Sequence, residues 1–224
     1  MPTPLTDGVW WYDLPGTNAY LVDDGGTLTL VDAGMPWHGS RLLTGIREAD
    51  FAVQALDRVL VTHYDLDHVG GLSAFDHVDL TVHVGAADAD LVTGERAPPL
   101  GNHKGALQRL TGPLVSAPDN PVEPVADGDT VGSFTVHETP GHTPGHVCFV
   151  SEALDTAFPG DLVREDGGQF VPSPWFISYD TDAVRRSIRE FAERAPDFGA
   201  AGTGHGVPFS RGGRERFDRL VGRL

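Results

Sequence analysis

Cysteine, lysine and methionine are almost missing from this chain of 224 residues, which has one cysteine, one lysine and two methionines. A lone cysteine, Cys148, excludes an intrachain disulfide and fits a reducing compartment, so a cytoplasmic location is expected. Cys148 lies in the apolar run His146-Val147-Cys148-Phe149-Val150 and reads as a core residue, not a nucleophile. No apolar run reaches membrane-spanning length, and no basic region precedes an apolar stretch at the N-terminus, so neither a membrane span nor a secretory signal is expected. Positive charge is scarce as well. Sixteen basic residues face 32 acidic ones, for a formal net charge of −16. Apart from Lys104, every basic residue among the sixteen is an arginine. Such a surface repels phosphate backbones and anionic lipid, which sets aside nucleic acid and membrane as partners and leaves a small-molecule substrate. Acidic excess with hardly any lysine is expected of a protein adapted to high salt, where self-repulsion is screened. Oligomeric state is not legible.

What is present suits one domain over residues 1–224, with 40% hydrophobic content to build its core. Val9 to Val22, a turn at Asp23–Gly26 and Thr27 to Val31 read as a β-meander ending in Asp32-Ala33-Gly34. A helix is predicted over 38–49 and a buried strand over Arg58–Val61. A helix start is predicted at Gly70-Gly71, and a strand over Leu80–Val84. Residues 86–121 break the rhythm, with a possible short helix through Leu107 and Leu110; they form a binding loop or a plain surface insertion. Lys104 and His103, within that segment, are expected at the surface. Strands follow at Phe134–Glu138, Val147–Val150, Thr156–Phe158 and Phe198–Thr203, with helices over 180–194 and 213–224. The order predicts an α/β domain of layered sheets with helices outside.

Ligand-type residues cluster on the loops after these strands. His63, Asp65, Asp67 and His68 share the stretch Thr62-His63-Tyr64-Asp65-Leu66-Asp67-His68-Val69-Gly70-Gly71, a tight turn after an apolar strand that suggests a metal cradle. Asp32, His142 in Thr139-Pro140-Gly141-His142-Thr143-Pro144-Gly145-His146, Asp161 in Phe158-Pro159-Gly160-Asp161, and His205 in Gly204-His205-Gly206 sit on four further loops. Glycine or proline flanks most of them, as expected where the backbone turns sharply beside a ligand.

These motifs, in this order along nearly the whole chain, resemble the metallo-β-lactamase superfamily of hydrolases. The resemblance implies a four-layer αββα sandwich with a binuclear metal site on one edge. It implies that His63, Asp65 and His142 surround one ion, that Asp67, His68 and His205 surround a second, and that Asp161 bridges them. Asp32 is implied to brace the metal turn by hydrogen bonds, and His146 to be structural. The ions are expected to be two divalent cations, zinc foremost. Asp65 departs from the family pattern, which has a histidine there. The extra carboxylate brings the ligand set, with two divalent ions and a bridging hydroxide, to formal neutrality. It shifts preference toward iron or manganese, unless Asp65 points away and leaves the first position weak or empty.

The resemblance implies hydrolysis by a bridging hydroxide, with Asp67 orienting it and moving a proton. A small ester-type substrate, thioester or lactone, is favoured. Arg164 is either a substrate anchor or a surface arginine, and Trp175, Phe176 and Tyr179 line the pocket or pack in the core. Two rival readings are an iron-dependent oxidoreductase on the same fold, diiron or persulfide dioxygenase-like, and a binding module without catalysis.

Overall fold

The computed structural model describes residues 2–224. The first half builds one sheet. Strands β1 (Thr3–Thr6), β2 (Val9–Leu14), β3 (Thr17–Asp24) and β4 (Thr27–Val31) form an antiparallel meander. After helix α1 (Gly39–Glu48), strand β5 (Leu56–Val61) joins β4 in parallel. Helix α2 (Leu66–Val69) leads to β6 (Thr81–Gly85), α3 (Ala86–Val92), α4 (His103–Thr111) and β7 (Val122–Val125). The seven strands lie in sequence order.

The second half comprises β8 (Thr130–Val131), β9 (Phe134–Glu138), β10 (Val147–Ser151), β11 (Thr156–Gly160), the hairpin β12 (Val163–Asp166) and β13 (Gln169–Pro172), α5 (Thr181–Arg194), β14 (Ala200–Thr203) and α6 (Gly213–Val221). Its main sheet runs β14-β11-β10-β9-β8, with β12 and β13 as a separate ribbon.

Strand alternation sorts the side chains into three apolar interfaces, which define four layers. On β3, Ala19 and Leu21 face a core shared with Leu42 and Ile46 of α1. Tyr20 and Val22 face the opposite way, onto Val136, Phe149 and Phe158 of the second sheet. On β10, Val147 and Phe149 join that central layer, while Cys148 and Val150 pack under Val184, Ile188 and Phe191 of α5 and Phe217 of α6. The molecule is therefore the expected αββα sandwich. Both faces of β10 are covered, which explains its uninterrupted apolar sequence. Burial raises the Cys148 thiol to about 12, so it is inert packing.

Helix α5 starts where the sequence signals it: the Asp180 carboxylate accepts from the backbone N–H groups of Asp182 and Ala183. Three elements differ from expectation. A short 3-10 helix over Leu72–Phe75 follows Gly70-Gly71 as expected, but a further helix, α2, begins earlier, at Leu66, and carries Asp67 and His68 itself. Within the segment 86–121, α4 is the expected short helix through Leu107 and Leu110, while α3 is additional to it. The β12–β13 hairpin has no counterpart among the predicted strands. Among the described residues no helix is long and apolar enough to cross a membrane.

Candidate metal centre

Each candidate ligand follows the C-terminal end of a strand or sits just beyond it. Asp32 follows β4, His63 and Asp65 follow β5, and Asp67 and His68 ride on α2. His142 follows β9, Asp161 follows β11 and His205 follows β14. The first five come from one sheet and the last three from the other. Backbone and side-chain bonds stitch the two edges: Val147 N–H donates to Thr62 O at 2.9 Å, Asn18 N–H to Gly204 O at 2.8 Å, and the Tyr20 hydroxyl to Thr203 O at 2.7 Å.

The four imidazoles are oriented from behind. Asp32 adopts a left-handed conformation, φ 58°, which asparagine and aspartate tolerate better than most residues. Its carboxylate accepts from Thr62 N–H at 2.8 Å, from the Thr62 hydroxyl at 2.8 Å and from His68 Nδ1–H at 2.8 Å. Because a carboxylate only accepts, His68 carries its proton on Nδ1. The Thr62 hydroxyl has spent its hydrogen on Asp32, so His63 Nδ1, 3.0 Å away, is the donor to Thr62 Oγ1. His205 Nδ1–H donates to Gly16 O at 2.8 Å. His142 Nδ1 meets Ser173 Oγ at 2.7 Å. In each ring the outer nitrogen is anchored and Nε2 is aimed inward, the arrangement that metal-binding histidines need.

The inward atoms form two adjoining groups. In the first, His63 Nε2 and His142 Nε2 lie 3.1 Å apart, with Asp65 Oδ2 3.2 and 3.0 Å from them. Asp65 therefore turns toward the site, not away from it. In the second, His205 Nε2 lies 3.4 Å from Asp67 Oδ2, and His68 Nε2 lies 3.9 Å from the same oxygen. Asp161 stands between the groups: Oδ2 is 3.0 Å from His205 Nε2 and 3.5 Å from His142 Nε2, and Oδ1 is 3.7 Å from His68 Nε2. All seven predicted ligands thus meet. His68 Nε2 and Asp161 Oδ1 are buried with no hydrogen-bond partner. Two orphaned polar atoms, facing each other across a space ringed by imidazole and carboxylate, are what a divalent cation would satisfy. The second group fits an ion by that test.

Lys104 corrects the sequence reading. It is 2% exposed, not on the surface, and its Nζ lies 2.6 Å from His142 Nε2 and 2.7 Å from Asp65 Oδ2. The ammonium can only donate, so it too requires the lone pair on His142 Nε2. One turn on, Gln108 Nε2 donates to Asp65 Oδ1 at 2.8 Å and to Tyr64 O at 2.6 Å, and the Tyr179 hydroxyl donates to Gln108 Oε1 at 2.6 Å. Helix α4 is inside-out. Its buried face carries Lys104, Gly105 and Gln108, while Leu107 and Leu110 are exposed. Apolar spacing marks this helix through Leu107 and Leu110 but does not show which face is buried. The readable signals were Asn102, whose side chain caps it, and the survival of a single lysine. His103 is exposed, as expected, and bonds Trp175 O. Arg164 is exposed on β12 and lies apart from the cleft-lining residues; Trp175 and Phe176 are exposed rather than core.

Two more supports went unread. Asp88, on α3, is fully buried and accepts from Tyr64 N–H, the Thr143 hydroxyl and Gly145 N–H, tying the metal turn to the proline-glycine loop. Gly204 allows a close approach: a Cβ there would strike Asp161 Oδ1 and the His68 ring. His146 is structural, accepting at Nε2 from Asp161 N–H.

The charges of the two groups differ. Burial, then the neighbouring His68 and His142, holds His63 well below its usual pKa, and burial followed by Lys104 lowers His142, so both rings are neutral. Burial opposes charge on His68 as well, but Asp32, Asp67 and Asp161 outweigh it and lift the ring to about 10. Asp161 lifts His205 to about 9. Both are imidazolium at neutral pH until an ion displaces their protons. Metal uptake near pH 7 is therefore expected to release about two protons per ion, read by titration calorimetry in buffers of different ionisation heat. Raised pKa values stabilise the metal-free fold fully below the ordinary histidine pKa near 6.5. That stabilisation is lost as pH rises through about 9 and 10. Proton release near zero would contradict this charge state.

A cleft of about 290 Å³ opens over the centre. Asp65, Asp67, Lys104, His142, Asp161 and His205 line its floor, and Met35, Leu66, Leu107 and Ile177 make apolar walls.

Comparison with known proteins bears on the fold and the family. The model of the metallo-beta-lactamase superfamily matches residues 12–198. The chain is similar to the uncharacterized protein YobT of Bacillus subtilis (strain 168), 27% identical over 220 residues that cover 91% of this chain and 88% of that protein. It is similar to an atrochrysone carboxyl ACP thioesterase of Aspergillus chevalieri, 31% identical over 162 residues, 70% of this chain and 43% of that one. The chain spans less than half the length of the fungal thioesterases it matches. Among solved structures, TTHA1623 in a di-iron-bound form superposes with a TM-score of 0.71 at 26% identity, over 93% of this chain and 95% of that one.

Proposed function

The chain belongs to the metallo-beta-lactamase superfamily and is a metal-dependent hydrolase; on that footing we propose that it cleaves a small thioester or lactone with an apolar acyl portion. The observation that carries the reading is the placement of the convergent imidazole and carboxylate atoms on the floor of an apolar-walled cleft. Asp67, His68, His205 and Asp161 would hold a divalent ion, zinc foremost, with iron or manganese admitted by so many carboxylates. Such an ion supplies Lewis acidity and a water whose pKa falls to about 7.

The chain's own residues do the rest. Hydrolysis requires an oxygen delivered to the carbonyl carbon, a proton taken from it, and a proton returned to the leaving sulfur or oxygen. Burial, the largest influence on Asp67, holds its carboxyl above the usual range, which suits a group that takes and passes on a proton. The Lys104 ammonium, beside His142 and Asp65 on the cleft floor, would favour negative charge that develops on a carbonyl oxygen bound there. Met35, Leu66, Leu107 and Ile177 favour an acyl chain over a polar or phosphorylated group. The net charge of −16 acts against polyanions in the same direction.

A panel of acyl thioesters, lactones and phosphodiesters tests this. Thioester cleavage can be followed with a thiol reagent, since the only thiol, Cys148, is buried. Turnover of thioesters or lactones, abolished by chelation and restored by added metal, is the expected result. Metal-independent turnover, or none on any ester, would overturn the proposal.

A further inference from the structure

The two ligand groups differ in what their inward atoms meet. In the second, His68 Nε2 and Asp161 Oδ1 meet nothing. In the first, His142 Nε2 and Asp65 Oδ2 both close on Lys104 Nζ, at 2.6 and 2.7 Å. His63 Nε2 borders the same point, 3.1 and 3.2 Å from those two atoms. A divalent ion would have to sit about 2.0–2.2 Å from the same nitrogens and oxygen. An ion and an ammonium cannot share that space.

The surroundings hold the lysine there. The Asn102 side chain caps α4 by accepting from the backbone N–H groups of Lys104 and Gly105. Gly105 is packed so tightly that a Cβ would strike Pro99 O, which fixes the helix against its neighbours. Gln108, held by the Tyr179 hydroxyl, turns Asp65 so that its other oxygen faces Nζ. A buried ammonium requires a counter-charge and hydrogen-bond acceptors, and Asp65 and His142 supply both. The residue type is informative as well. This chain uses arginine everywhere else. A planar guanidinium cannot occupy the small space a metal would fill, whereas an ammonium is a compact point charge.

We propose that Lys104 is a built-in cation in the first group, with Asp65 as its counter-ion, so that the chain binds one divalent ion, held by Asp67, His68, His205 and Asp161. The aspartate in the metal turn and the lysine on α4 are then one device. This rests on the metal-centre reading given under the proposed function.

The test counts ions. Full-length protein is loaded with excess zinc, dialysed and measured by elemental analysis, beside Lys104→Met. One zinc per wild-type chain and two per Lys104→Met chain are expected. The wild type loaded with cadmium-113 gives one cadmium resonance in place of two. Two zinc ions in the wild type, or one in a folded Lys104→Met, overturns the assignment and leaves the hydrolase reading standing. No zinc in the wild type overturns both. Should Lys104→Met fail to fold, the wild type still decides. With lysine alone labelled with nitrogen-15, the protein has a single side-chain Nζ signal. That signal is expected to stay at its buried position on zinc loading, and its move to the free-lysine position would show that an ion had expelled it.

Discussion

Asp161→Ala is expected to abolish hydrolysis and metal retention together while the protein stays folded. Its carboxylate faces His205, His142 and His68 at 3.0, 3.5 and 3.7 Å, so it serves both ligand groups at once. Removing it takes away a ligand and also the charge that most raises His205, and it leaves two buried imidazoles with weaker partners. A loss of at least about 10³ in kcat/KM, on the order of 4 kcal/mol in the barrier, follows if the ion is the source of the nucleophile. The fold is expected to survive because the hydrogen bond that ties this residue to the scaffold is made by its backbone N–H, to His146, and not by the carboxylate. Circular dichroism, metal content and thioester turnover together check this. Wild-type turnover in the variant would remove Asp161 from the centre.

The second large effect is expected from Asp32→Asn, a change that keeps size and backbone tolerance and alters only hydrogen-bond sense. The wild-type carboxylate accepts from Thr62 N–H and Oγ1–H and from His68 Nδ1–H. With the amide oxygen toward Thr62 N–H, the amide nitrogen faces His68 Nδ1 and becomes the donor. His68 must then shift its proton to Nε2, which removes the lone pair aimed into the second group. Metal affinity is expected to fall about 10- to 100-fold, as when other partners behind metal ligands are lost. Zinc competition with a chromophoric chelator measures it. An unchanged affinity would mean that His68 does not ligate through Nε2.

Much of this was legible because it is written in strand-loop punctuation. Alternation along β3 and β10, the helical face of α5 and the glycine- and proline-bounded loops are local patterns, and each names its residues. All seven expected ligands sit at or beside such points. Lys104, Gln108 and Asp88 were not legible for a shared physical reason. Each is a polar residue buried from a helix by partners distant in sequence, and α4 reverses the usual inside and outside. No spacing rule sees Lys104 reach Asp65 and His142; only the folded contact does.

Asp67 and His68 belong to one half of the sandwich, Asp161 and His205 to the other, and each half returns to the seam through its own strands. An ion gripping all four is a rivet between two leaves of protein. It closes a loop far longer than any hairpin, and the entropy of closing a loop rises only slowly with its length. Stripping that rivet therefore does more than silence chemistry. It would loosen the edge where the leaves meet, leaving the direct hydrogen bonds between them to hold it, and the supply of metal would become a control on how firmly the molecule is shut.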